Sequence, residues 1–310
     1  MAQKKRKKNP WVEAIKYADE IVLEESSLES LLANKKGMQE IIDFQADFYS
    51  ELQKQRAKKR TALLSALKTA ARSGYKASRW QRAVQYKYAL RPLSAVGSVR
   101  NDVGGRFNIG NLDSVLFPKF PALYLAEDQE TAIKELFCQD IPNDANFTGM
   151  ELALATKTSF SIVSVSFEIE RAVDLRNIPS LRKFVDIIKK FSLSKDLLRR
   201  AKRYSLPTPT DTIKNGTQLI RALLDRNWRV WPMLYDLPSN SQIFGQLVRE
   251  AGIEGILYTS KMTGKLATAI FPKNFESSSS WIELDDEPPN SNVIKRIDAQ
   301  NWELSKTVKQ

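Results

Sequence analysis

None of the 310 residues is histidine, and the single cysteine is Cys138. Without histidine there is no Ser-His-Asp triad, no Cys-His pair and no histidine-based zinc site, so acid-base work falls to carboxylates, tyrosine or lysine. One cysteine allows neither an internal disulfide nor a cysteine metal cluster, and it suits a reducing, cytoplasmic setting. Cys138 itself reads as a small buried hydrophobe after a helix turn. Long apolar stretches are missing as well: none approaches the ~18 residues needed to cross a bilayer. The basic start, Met1 to Asn9, has no hydrophobic run behind it, so neither membrane insertion nor secretion is expected.

Acidic residues are absent over one long stretch. Residues 52 to 101 hold no Asp or Glu but thirteen Lys or Arg, in a chain whose formal net charge is +12. Tyr75, Trp80, Tyr86 and Tyr88 are interleaved with these bases, a mixture that grips phosphates while stacking on bases or on a nicotinamide-type ring. Such a region would also concentrate any anionic ligand. The competing reading is a basic helix face that solubilises the protein or meets an acidic partner. Lys4-Lys5-Arg6-Lys7-Lys8 is similarly open, either a nuclear-localisation or nucleic-acid patch or a solvated terminus.

With 42% hydrophobic residues the chain has material for a sizeable core, and its length suggests one to two domains. The first part reads as helical. Trp11, Ala14, Ile15, Ala18, Ile21 and Val22 fall at helical spacing, and Ser26 with Glu29 forms a possible capping box. Gly37 is expected to interrupt the next helix, after which Ile41, Phe44, Phe48 and Leu52, then Leu63, Leu64 and Leu67, continue an apolar stripe. A helical hairpin of this kind would cover a catalytic domain or bind a partner protein. From about residue 85 strands alternate with helices. Ser159 to Glu168 reads as a strand and Leu181 to Arg200 as a helix before the Pro207-Thr208-Pro209-Thr210 loop. Helices follow at Gly216 to Asn227 and Ser241 to Ala251, and strands at Gly255 to Thr259 and Leu266 to Phe271. The class is mixed α+β.

Chemistry concentrates in Gly104-Gly105-Arg106-Phe107-Asn108, in Ala122-Leu123-Tyr124-Leu125-Ala126, and in Glu130-Thr131-Ala132 ending at Glu135. Asn108 and Gly110 suit a tight turn because both tolerate positive φ. Leu123-Tyr124-Leu125 reads as a short buried strand, and Asp128 as the N-cap of a helix through Glu135. Loop, strand and helix would thus bring a cation, an aromatic face and an anion to one pocket. A dinucleotide fold of the Gly-x-Gly-x-x-Gly kind is not supported, since that spacing is absent.

These segments, together with Ala251-Gly252-Ile253-Glu254-Gly255-Ile256-Leu257-Tyr258-Thr259-Ser260, resemble the RES domain, whose name comes from an arginine, a glutamate and a serine. Arg106, Tyr124, Glu135 and Ser260 take the family's catalytic positions, and the match covers about residues 85 to 275. The resemblance implies an ADP-ribosyltransferase-like fold, a split mixed β-sheet with surrounding helices, here preceded by a helical extension. It divides the chain into a basic helical extension over 1–84, a catalytic domain over 85–285 and a C-terminal tail over 286–310. It also implies a bacterial toxin that destroys NAD by hydrolysis or phosphorolysis, or that ADP-ribosylates a protein, beside a cognate antitoxin. NAD would be substrate rather than cofactor, inorganic phosphate a possible co-substrate, and the extension a possible antitoxin contact. A nucleic-acid-binding role for residues 52 to 101 stays as an alternative of a different class.

Phe107 stands where the family more often has Trp, which keeps an aromatic wall and loses an indole N–H. The family's upstream arginine is best matched by Arg91, with Arg100 competing. Segments 137 to 158 and 190 to 215 are longer than a minimal member needs. The resemblance implies that Glu135 holds the ribose hydroxyls, that Arg106 and Arg91 clamp the pyrophosphate and that Tyr124 stacks on the nicotinamide or ribose. Ser260 would bond the nicotinamide amide or a phosphate, and Phe107 and Asn108 would line the cofactor-binding cleft.

Overall fold

The computed structural model describes residues 28–100, 103–113, 115–137, 159–203, 212–288 and 292–306. Expectations for Lys4 to Lys8, the 11–22 helix, Ser26, Cys138 and the Pro207 loop lie outside these residues. None of the described helices is long and apolar enough to cross a membrane.

Helix α1 (Leu28–Lys58) runs unbroken through Gly37, contrary to the expected interruption. A single exposed glycine costs a helix only about 1 kcal/mol, and nothing lies within 4 Å of where its side chain would be. A kink at Lys59 leads into α2 (Arg60–Ala70), which buries Leu63 and Leu67. The extension therefore packs on the body of the protein. Phe48 of α1 meets Trp231 at 6.2 Å between ring centroids, and Arg200 pairs with Asp47 at 2.6 Å.

The helical expectation then fails. Ala71 turns extended, and residues Arg72–Gln85 form β1, a 14-residue strand. It pairs antiparallel with β5 (Phe160–Asp174) from Arg72↔Ala172 to Gln85↔Phe160, with an irregularity between Ala77 and Trp80. The strand is rich in Arg, Lys and Ser, and Trp80 and Val84 are its buried residues, so its local pattern is weak; the partner strand supplies the ladder. The acid-free stretch is consequently not one helix face, since it crosses helix, strand and 3-10 turns.

The sheet also contains β4 (Leu123–Ala126), β6 (Gly255–Thr259), β7 (Leu266–Ile270), β8 (Trp281–Leu284) and β9 (Arg296–Ile297), in the order β1-β4-β7-β6-β5-β8-β9. β5 to β6 is the parallel pair; the other pairings are antiparallel. Because β1 pairs with both β4 and β5, strands β1, β4, β7, β6 and β5 close on one another. The outer edge of β5 is shared, residues 165–168 with β8 and 172–174 with β6. That sharing is the split of the mixed sheet. A two-stranded hairpin, β2 (Gly104–Gly105) and β3 (Asn108–Ile109), stands apart from it.

Two hydrophobic layers flank the sheet. On one side lie Trp80, Leu123, Leu125, Phe167, Leu257 and Ile282. On the other, Phe107, Ala126, Ile256 and Tyr258 pack beneath α2, α4 (Arg182–Ile188), α6 (Gly216–Leu223) and α8 (Asn240–Glu250). Strand alternation thus turns Tyr124 of β4 and Tyr258 of β6 to the same, helix-covered side. The helix expected over Leu181 to Arg200 is divided into α4 and α5 (Lys195–Arg203), and that from Gly216 ends at Leu223, ahead of α7 (Val230–Tyr235).

The region expected as a tail is integrated. β9 extends the sheet, Trp302 is buried, and the Ser305 carbonyl accepts bonds from Ala95 N and Ser94 Oγ.

Candidate active site

Gly105 pairs with Asn108 across the β2–β3 hairpin, so Arg106 and Phe107 are its two tip residues. Positive φ occurs at Gly104 (78°), rather than at Asn108 or Gly110 as the sequence suggested. Asn108 is fully buried and its amide is spent internally: Oδ1 accepts from Gly105 N (3.1 Å) and from the Tyr124 hydroxyl (2.8 Å), while Nδ2 donates to Ser98 O (2.8 Å). Gly105 has to be glycine, since a Cβ there would lie 2.4 Å from both Asn108 Oδ1 and Tyr124 Oη.

The Tyr124 hydroxyl also accepts from Phe107 N at 2.9 Å. Its ring is half-buried while the hydroxyl end is enclosed, and this burial raises the phenol pKa, opposed by the Phe107 N–H bond and Arg106 and reinforced by Glu135. Tyr124 therefore remains a neutral hydrogen-bond donor at any ordinary pH. Phe107, expected to line the ligand cleft, is completely buried and meets the Tyr258 ring edge-on at 5.1 Å. Phe107 and Asn108 are both fully buried, Asn108 against the Tyr124 hydroxyl and Phe107 against the Tyr258 ring.

Helix α8 holds this hairpin. A capping box of Ser239 and Gln242 starts the helix, and the same Gln242 donates through Nε2 to the carbonyls of Val103 (2.6 Å), Gly105 (3.1 Å) and Asn108 (3.1 Å). One turn on, Gly245 lies so close that a Cβ would come within 2.0 Å of the Phe107 carbonyl oxygen.

Helix α3 (Gln129–Phe137) begins as expected, with Asp128 Oδ1 accepting from Thr131 N at 2.7 Å. Lys134 pairs with Glu130 at 3.0 Å, leaving Glu135 directed elsewhere. Its Oε1 accepts from Ser260 Oγ at 2.6 Å and its Oε2 from the Tyr258 hydroxyl at 3.4 Å. Ser260, just beyond β6, is 1% exposed and also accepts from Met262 N at 3.2 Å. The Ser260 hydroxyl, expected to bond a ligand, is bonded here to the glutamate. Burial raises the Tyr258 pKa well above its usual value, with Glu135 adding to the rise and Arg106 opposing it.

Arg106 is 8% exposed, donates through Nη1 to Asp225 O at 2.7 Å and lies 5.8 Å from the centroid of the buried Trp228 ring. The charges of Arg106 and Glu135 are both felt at the hydroxyls of Tyr124 and Tyr258. Contacts also link the four: Tyr124 bonds the amide of Phe107, the neighbour of Arg106, Phe107 packs on Tyr258, and Tyr258 and Ser260 both bond Glu135.

Arg91 is half-buried in the turn after Tyr86–Tyr88. The upstream arginine that reaches the Tyr124 strand is Arg82, which donates to the carbonyls of Pro92 (2.7 Å), Tyr124 (3.0 Å) and Ser94 (2.7 Å). Burial lowers its pKa to about 10. All three bonds end on backbone, so Arg82 fastens the loop carrying Arg91 to β4.

A family model for the RES domain matches residues 79–288. This chain belongs to the RES family. The RES match takes in the strands from the second half of β1 through β8 and contains all four residues of the constellation. The crystal structure of the M. tuberculosis MbcT-MbcA toxin-antitoxin complex contains a similar chain, 12% identical with a TM-score of 0.40, over 79% of this chain and 95% of that one. That superposition is too loose to assign roles. No curated protein matches.

Proposed function

We propose that this RES-family protein is an NAD-consuming toxin that breaks the nicotinamide–ribose bond. The observation carrying the reading is the Glu135 carboxylate, bonded by Ser260 and Tyr258 and sharing its site with Arg106 and Tyr124. In NAD the C1′–N bond joins ribose to a cationic ring, so its electron pair leaves with neutral nicotinamide and no proton has to be donated. What needs stabilising is the positive charge that develops on the ribose. A histidine-free site with a fixed carboxylate suits that demand. Two hydroxyl donors hold the Glu135 carboxyl group in one orientation. Capture of the ribosyl cation by water releases a proton and yields ADP-ribose; capture by inorganic phosphate yields ADP-ribose-1″-phosphate. Capture by a protein side chain would make the enzyme an ADP-ribosyltransferase. A cytoplasmic protein of this kind would be kept in check by an antitoxin.

The test is incubation of purified protein with NAD, with and without phosphate, and mass analysis of the products. Nicotinamide release is expected, and Glu135→Ala should abolish it while the protein stays folded. If NAD persists with the unaltered protein, glycohydrolysis and phosphorolysis are both wrong; ADP-ribose on a protein would then transfer the reading to the third acceptor.

A further inference from the structure

The loop between α6 and α7 carries no recognisable motif, yet it meets the site repeatedly. Asp225 O accepts from Arg106. Arg226 Nη2 donates at 2.8 Å to the carbonyl of Lys261, the neighbour of Ser260. Trp228 is buried against Arg106. A second guanidinium, that of Arg229, lies over the same indole, 4.8 Å from its centroid against 5.8 Å for Arg106. Arg229 is half-buried, and its charge is felt at the Tyr124 hydroxyl together with those of Arg106 and Glu135.

Two guanidiniums held against one indole set two forked cationic donors beside the site. Among the described residues no carboxylate forms an ion pair with Arg106. An anionic ligand with two adjacent charged groups would meet both guanidiniums at once. Guanidinium forks suit phosphate oxygens in pairs, and a dinucleotide presents two phosphates joined through one oxygen.

We propose that Arg229 is a substrate-binding residue which, with Arg106 and with Trp228 as their common platform, clamps the pyrophosphate of the dinucleotide. The proposal rests on the NAD reading above. It gives to Arg229 the part expected of Arg91, and it makes the enzyme select dinucleotides over nucleosides.

The experiment is calorimetric titration of the full chain with ADP-ribose, inorganic pyrophosphate and nicotinamide riboside, beside NAD kinetics. Arg229→Ala should weaken ADP-ribose and pyrophosphate binding about tenfold or more, leave riboside binding unchanged, and raise KM for NAD far more than it lowers kcat. Arg229→Lys should recover only part of the loss, because an ammonium lacks the fork. The clamp is overturned if folded Arg229→Ala binds ADP-ribose as tightly as the unaltered protein, if riboside binding falls equally, or if the unaltered protein binds neither pyrophosphate compound. Arg229-dependent pyrophosphate binding without NAD cleavage would keep the clamp and remove the NAD reading; NAD cleavage with an unchanged KM in Arg229→Ala would do the reverse.

Discussion

At the scale of single residues, Glu135 is governed by two unequal bonds. Ser260 Oγ donates at 2.6 Å and Tyr258 Oη at 3.4 Å, and hydrogen-bond strength falls steeply over that range. A bond to an ionised group contributes about 1.5–3 kcal/mol, roughly ten- to a hundredfold in rate if the orientation of Glu135 limits turnover. Ser260→Ala should therefore cost NAD turnover by about that factor, and Tyr258→Phe clearly less, with unfolding temperatures little changed. Equal losses, or a larger one for Tyr258→Phe, would contradict this ordering. Glu254 shows the structural counterpart: fully buried ahead of β6, it accepts from Glu170 N (2.7 Å), Arg171 N (3.3 Å), Arg171 Nη2 (3.3 Å) and Ser280 Oγ. Glu254→Ala takes the acceptor from Arg171 N and Ser280 Oγ, while Glu170 N keeps its 2.9 Å bond to Ser280 Oγ, and should destabilise the fold by about 1–3 kcal/mol in denaturant titrations.

At the scale of elements, the legible parts are those whose local signals agree with their tertiary role. β4, β6 and β7 have compact apolar runs, and α3 has its Asp128 cap, so Tyr124 and Glu135 are placed nearly as the sequence implies. Tyr258 was within reach of the same reasoning, since it stands two residues before Ser260 on a strand and period-two alternation puts both on one side. β1 was not legible because its charged surface is stabilised across eleven pairings with a strand far along the chain, information that no window contains. Nor was the role of α8, which depends on Gln242 and Gly245 meeting a hairpin more than a hundred residues earlier. The contact at Gly245 is with backbone and has no flexible side chain to yield. Gly245→Ala should thus push the Arg106 hairpin off the helix, costing about 1–3 kcal/mol and more than tenfold in NAD turnover, whereas Gly37→Ala on α1 should stabilise by a few tenths to about 1 kcal/mol. Thermal unfolding of the two variants side by side provides the comparison.

For the whole molecule, the absence of histidine removes the one side chain that ordinarily titrates near neutrality, so NAD turnover should be level from about pH 6 to 8. The boundaries of stability lie outside that range. At the acid end, burial opposes ionisation of Asp174, but hydrogen bonds and charge from Arg176, with Arg72, outweigh it and lower the pKa below 3.8; its contribution is present above that value and is lost as pH falls through the folded pKa. At the alkaline end, burial raises the phenols of Tyr49, Tyr75, Tyr124, Tyr235 and Tyr258 above the ordinary 10.0. Below that pH both folded and unfolded chains keep these protons. Above it the unfolded chain releases them while the folded chain does not, so the unfolded state binds fewer protons and stability falls as pH rises. The expected result is a downward slope in unfolding free energy beginning near pH 10. That slope should be shallower in Tyr258→Phe, which removes a buried phenol without emptying its place beside Phe107. A Tyr258→Phe protein that loses stability with pH as steeply as the unaltered chain would show that the alkaline limit is set elsewhere.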